Sequence, residues 1–297
     1  MERINLKGMG VALITPFKTN GDVDFRALGR LVDYQVQNGT DYLVVLGTTA
    51  ETPTLTSDEQ KEVTQSVVER VNGKIPVILG VGGNNTRAVV ERLKNETFSG
   101  IDAILSVVPY YNKPSQEGIY QHYKHIADST SLPVVLYNVP SRTGVNMSAE
   151  TTLRLANECE NVVGVKEASG IMAQIGTIIK NKPHDFQVIS GDDGITFPLI
   201  TFGAVGVISV IGNAFPKEFS RMVRLALSGD YTNALHIHQN FTELFELLFV
   251  DGSPSGVKSL LNMMGYIENI LRLPLIPTRI TTYEKIKAIL QELNIKC

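Results

Sequence analysis

In the stretch "NVVGVKEASG" (161–170), Lys166 directly follows Val162, Val163 and Val165. Valines in that spacing read as a buried parallel strand, which a lysine almost never enters without a partner or a purpose. Taken alone, a lysine near a strand end more often sends its ammonium out to water. At the mouth of a barrel an amine is partly desolvated, which lowers its pKa and frees the neutral form. A neutral amine attacks carbonyls, so formation of a Schiff base is the chemistry open to Lys166. Such a lysine gives the protein its own electron sink, and no cofactor motif accompanies it; no cofactor is expected. Tyr137 ends another apolar run, where packing is the usual role of a tyrosine. Imine chemistry needs a proton transfer at each step, and a phenol that both donates and accepts suits that task. Thr48, at a third strand end, could relay the proton.

Other candidates weaken on inspection. "GVGGNN" (80–85) is glycine-rich but is neither G-x-G-x-x-G nor a P-loop. His122 and His125 share a helix face without an obvious third ligand, and His236 and His238, two apart, do not share one. Surface or packing roles suit all four better than a metal site. Asp192 and Asp193 have no second carboxylate cluster, so a turn or structural hydrogen-bonding role is expected. No metal is expected.

The elements that must position these groups follow a simple alternation. Eight Val/Ile/Leu-rich runs occur at 9–17, 41–47, 75–82, 103–109, 133–140, 162–169, 186–193 and 206–213. Longer amphipathic stretches separate them. Several of these open with helix-start signals. Ser57 and Gln60 have capping-box spacing, Ser148 precedes "AETTLRLANE", and Pro216 stands at a first-turn position. Strands apolar on both faces, each followed by a helix, predict an α/β fold of the (β/α)8 TIM-barrel type. An open doubly wound sheet is the alternative, disfavoured by eight regular units and the lack of a dinucleotide fingerprint. The barrel is expected to occupy 1–230, with a C-terminal helical region over 231–297. In such barrels the working groups sit at the C-terminal strand ends, where Lys166 is the only amine.

Composition excludes several classes. The 297 residues carry a net charge of −3 and no basic block, so neither nucleic acid nor an anionic membrane surface is an expected partner. Two cysteines, Cys159 and Cys297, form no disulfide framework or zinc pattern, which fits a reducing compartment. The N-terminus does not read as a signal peptide, and no apolar stretch is long enough to cross a bilayer. A cytoplasmic protein is expected.

Five stretches together carry a resemblance: "GTTAETPTL" (47–55), "PYYNKPSQEG" (109–118), "YNVPSRTG" (137–144), "GVKEASG" (164–170) and "SGDD" (190–193). They resemble the dihydrodipicolinate synthase branch of the pyruvate-dependent class I aldolases, the family that includes N-acetylneuraminate lyase. The resemblance covers essentially the whole chain. It implies that Lys166 forms the Schiff base with pyruvate. Tyr137 would be the general acid/base, in a relay with Thr48 and with a Tyr111 contributed by the neighbouring subunit. Thr48 and Thr49 would hold the pyruvate carboxylate, and the backbone carbonyl of Ile208 and Gly191 would line the same pocket. Arg142 would bind the carboxylate of L-aspartate 4-semialdehyde, a task that suits a bidentate guanidinium. The implied product is 4-hydroxy-tetrahydrodipicolinate, in the diaminopimelate route to lysine. The implied assembly is at least a homodimer, with a homotetramer as the larger alternative.

Arg142 and the Thr48–Thr49 pair point to the synthase branch, since the neuraminate lyase branch typically has Ser-Thr and lacks this arginine. Another pyruvate-dependent aldolase or lyase is the nearest alternative, and a silent keto-acid-binding protein on the same scaffold is the next. One departure stands out. Lysine-inhibited members resemble one another at an effector site, with histidines where this chain has Ser57 and Gln60 and a glutamate where it has Ala88. Asn84 and Tyr110 are retained. Weak or absent inhibition by lysine is therefore expected.

Overall fold

The computed structural model describes residues 4–293; Cys297 lies outside them. The eight apolar runs become eight strands: β1 (Gly8–Ala12), β2 (Tyr42–Val45), β3 (Val77–Gly80), β4 (Ala103–Val107), β5 (Val134–Asn138), β6 (Val162–Glu167), β7 (Gln187–Ser190) and β8 (Gly206–Ser209). All neighbours pair parallel, and β8 returns to β1 to close the barrel.

The helices through the last barrel unit are α1 (Phe25–Gln37), α2 (Ser57–Val71), α3 (Thr86–Asn95), α4 (Gln116–Ala127), α5 (Pro140–Thr143), α6 (Ala149–Glu158), α7 (Met172–Asn181), α8 (Thr196–Phe202) and α9 (Pro216–Ser228). Four more follow: α10 (Tyr231–Asn240), α11 (Thr242–Leu247), α12 (Ser255–Met263) and α13 (Ile280–Glu292). Among the described residues, no helix is long and apolar enough to cross a membrane.

Two apolar clusters match the two faces of the strands. Tyr42, Val44, Ile78, Leu105, Val135 and Ile189 fill the lumen. Their strand neighbours, such as Leu43, Val45, Leu79, Ile104 and Val188, pack against the helices. This two-residue alternation is the physical reason the runs read as continuously apolar. In the lumen, Tyr42 takes space left by Gly10, where a Cβ would stand 2.0 Å from its ring. The Tyr42 hydroxyl donates to the Val207 carbonyl at 3.3 Å.

Ser148 caps α6 and Pro216 opens α9 as the sequence predicts. The expected cap of α2 shifts by one residue. Thr56, not Ser57, is extended at the N-cap; its hydroxyl accepts from the Glu59 N–H, and Glu59 Oε2 accepts from the Thr56 N–H. Gln60 is engaged elsewhere, donating to the Leu55 carbonyl and accepting from Arg92.

Candidate active site

A cavity of about 650 Å³ opens at the C-terminal end of the barrel. Tyr137 and Lys166 line it from adjacent strands, directly opposite each other in the β5–β6 register. Val165 packs outward with the helices, so the alternation along β6 turns Lys166 toward the lumen. The Lys166 Nζ lies 4.4 Å from the centroid of the Tyr137 ring. Lys166 is 5% exposed and Tyr137 6%. Among the described residues, no carboxylate forms a salt bridge with Lys166.

Gly191, after β7, makes room for the lysine stem. A Cβ there would lie 3.1 Å from Lys166 Cγ and Cε and 2.7 Å from the Cβ of Ala168. Gly191 is also fixed in place, its N–H donating to the Glu167 carbonyl at 2.8 Å. Gly191→Ala therefore crowds Ala168 and makes the Lys166 stem give slightly. The expected result is a loss in kcat smaller than the roughly 10²-fold that a displacement of about 1 Å costs, with the fold retained, checked by steady-state kinetics beside a thermal melt.

Thr48 and Thr49 sit in a single 3-10 turn, Thr48–Ala50, that follows β2. The segment is entered through Leu46 (φ 54) and left through Glu51 (φ 57), both left-handed and neither a glycine. Each such residue costs about 1–2 kcal/mol, so the surroundings must hold the turn in shape. Ala50 N–H donates to Gly47 O and Glu51 N–H to Thr48 O. Among the described residues, the N–H groups of Thr48 and Thr49 donate to no protein acceptor. Two adjacent free donors beside two hydroxyls suit an anionic oxygen pair.

Arg142 lines the cavity from α5, a single turn set by Pro140 and ended by Gly144 at φ 72. It is exposed, and no carboxylate among the described residues pairs with it. Ile208 is buried in β8 opposite Gly10 and belongs to the lumen cluster below; Val210, two residues on, lines the cavity. Tyr111 is not brought to the cavity of its own barrel. It stands 83% exposed in a left-handed conformation, φ 73.

The acidic residues take supporting positions. Asp193 is buried, and its Oδ2 accepts from the N–H groups of Val210 (3.0 Å) and Ile211 (2.8 Å). Burial pushes its pKa up to about 6. Asp192 caps the Gly194 N–H at 2.9 Å. Glu167, on the outer face behind Lys166, accepts from Asn138 Nδ2 and the Ser169 N–H. Burial raises its pKa, against those donors.

Part of the wall was not legible in the sequence. His238 of α10, Phe245 and Glu246 of α11, and Ser253 line the cavity from beyond the barrel. His238 packs between Phe197 (5.8 Å) and Phe245 (5.1 Å), and burial lowers its pKa. It is a packing histidine, as expected, but one that packs at the site. His122, with Thr86 Oγ1 2.8 Å from its Nδ1, is held by burial at a pKa of about 4. Among the described residues, no three His, Cys, Asp or Glu side chains are grouped to hold a metal ion.

A model of the dihydrodipicolinate synthetase family matches residues 5–293 of the chain. The chain is similar to the 4-hydroxy-tetrahydrodipicolinate synthase of Parabacteroides distasonis, with 74% identity over the full length of both. It is likewise similar to that of Phocaeicola vulgatus, at 71% over the full length of both. Among solved structures it is similar to the dihydrodipicolinate synthase of Aquifex aeolicus. There the identity is 44% and the TM-score 0.94, covering 98% of this chain and 99% of that one.

Proposed function

Since the chain belongs to the dihydrodipicolinate synthetase family, we propose that it condenses pyruvate with L-aspartate 4-semialdehyde through a Schiff base on Lys166. It is a lyase of that family, and its product on this reading is 4-hydroxy-tetrahydrodipicolinate, made in the cytoplasm on the diaminopimelate route to lysine. The observation that carries the reading is the buried Lys166 amine beside Tyr137, in one cavity with Thr48, Thr49 and Arg142.

Pyruvate enters with its carboxylate on the free N–H and hydroxyl groups of Thr48 and Thr49. The Lys166 amine attacks the keto carbon and water leaves, giving the imine. Loss of a methyl proton gives the enamine, whose carbon attacks the aldehyde of the semialdehyde held by Arg142. The semialdehyde's own amine then displaces Lys166 by transimination, closing the ring and freeing the enzyme. Tyr137 accepts and returns the protons. Thr48 links it to Tyr111 of a neighbouring subunit, so the working form is at least a homodimer, with a homotetramer as the larger alternative. The exposure of Tyr111 supports a role outside its own barrel. The carbonyl of Ile208 and Gly191 complete the pyruvate pocket, Gly191 by leaving the space that Lys166 occupies.

The test is pyruvate consumption with the semialdehyde, run beside N-acetylmannosamine, with borohydride trapping of pyruvate on Lys166. Consumption with the semialdehyde alone is the expected result. Consumption with the sugar would keep Lys166 and Tyr137 in their roles and replace the substrate. An untrapped, inactive protein would sink the reading in favour of a silent scaffold.

Insensitivity to lysine belongs to the same proposal. Gln60, where inhibited members have a histidine, is tied to the Leu55 carbonyl and Arg92, and Ala88 on α3 supplies no carboxylate for an effector's ammonium. Millimolar lysine is expected to leave the rate essentially unchanged. A strong fall in initial rate with added lysine would contradict it.

A further inference from the structure

Behind the Thr48–Thr49 turn lies a buried ion pair that the reaction does not use. Glu51, two residues beyond Thr49, and Lys258, on α12, are both fully buried and form a salt bridge. Lys258 Nζ also donates to the Ile270 carbonyl at 3.0 Å and lies 4.1 Å above the Phe17 ring. The other carboxylate oxygen of Glu51 accepts from the Arg272 N–H at 3.0 Å. Arg272 then returns to the barrel side, its guanidinium donating to the carbonyls of Gly21 (3.0 Å) and Thr54 (2.8 Å) and to Glu59.

We infer that Glu51 and Lys258 are positioning residues, which fix the Thr48–Thr49 turn against the C-terminal helices and thereby set the affinity of the site for the pyruvate carboxylate. The inference rests on the assignment of that carboxylate to Thr48 and Thr49. Glu51 is itself the left-handed residue at which the turn ends, so anchoring its side chain anchors the backbone two residues away. Apolar side chains of similar size would fill the same volume, and buried pairs are often replaceable in that way without loss of stability. They would not fix a direction. A carboxylate bonded on one side by an ammonium and on the other by a backbone N–H has little freedom to rotate or slide. The turn it holds is strained and presents two unpartnered donors, a shape that has to be imposed from outside.

The double variant Glu51→Gln/Lys258→Met separates positioning from packing, because it leaves no orphaned charge. Its readouts are the melting temperature, the pyruvate concentration that half-saturates borohydride trapping on Lys166, and the KM for the semialdehyde. The expected result is a near-native melt, a half-saturating pyruvate raised about tenfold, and a semialdehyde KM moved by less than about threefold. Glu51→Gln alone, which keeps the shape of the side chain, should shift pyruvate in the same direction. Unchanged pyruvate half-saturation in either folded variant would overturn the inference. So would an equal rise for both substrates, which is general loosening of the cavity. A wild-type protein that traps no pyruvate would overturn the Lys166 reading and this inference with it, whereas normal trapping in all three proteins overturns the inference alone.

Discussion

Lys166→Met is expected to abolish the borohydride-trapped pyruvate adduct and to lower kcat by at least about 10⁴-fold, the scale reached when a covalent nucleophile is removed. Methionine nearly matches the stem in length, so it still fills the space that Gly191 leaves. The substitution also removes an amine from a site only 5% exposed, so the melting temperature should not fall. Among the described residues no other lysine lines the cavity, and no second amine can take over the role. Mass spectrometry of the trapped protein decides the matter. A pyruvate-derived mass on another residue of the variant would move the chemistry away from Lys166.

Lys258→Met is expected to have the largest effect on stability, a loss of about 3–5 kcal/mol, because it leaves the Glu51 carboxylate buried without its cation. Burial lowers the pKa of Lys258 to about 8, outweighing the attraction of Glu51, which acts the other way. The sign of the linkage follows. A base whose folded pKa lies below its unfolded value of 10.5 binds its proton less readily when folded. Its contribution to stability is complete above the unfolded value and is lost as the pH falls through about 8. The advantage of the wild type over the variant should therefore widen as the pH rises across that window. Urea unfolding at a series of pH values measures both quantities; a gap that narrows across the window would contradict the assignment. Adding Glu51→Gln to the variant should return most of the lost stability.

The barrel was legible because strands covered on both sides must be apolar on both sides, and eight such runs, each followed by a helix, close most simply on themselves. Lys166 and Tyr137 were legible for a related reason. Each is a reactive group at the end of a run where an apolar residue belongs, and the two-residue period turns both toward the lumen. Local chemistry was read less finely at α2. Thr56 and Ser57 are both good caps with an acid or amide three residues on, and the contact of Gln60 with Arg92, 32 residues away, removes Gln60 from the competition. The outer wall of the cavity was not legible. His238 and Phe245 have no sequence relation to Lys166, and only the packing of α10 and α11 over the strand ends brings them there. The Glu51 clamp was hidden for the same reason, since Arg272 reaches it from 221 residues along the chain. The motif around Glu51 marks the place but not the partner.

The wall supplied by α10 and α11 bears on how such an enzyme could be rebuilt. A graft of residues 1–230 onto another protein would transfer Lys166, Tyr137 and both threonines, along with every strand that carries them. It would also transfer Glu51 stripped of Lys258, and a vessel with one side missing where His238 and Phe245 had stood. Conversely, exchanging the tail between relatives would alter the wall of the cavity without touching Lys166 or Tyr137. The chain after the barrel is the part through which a new aldehyde could be admitted.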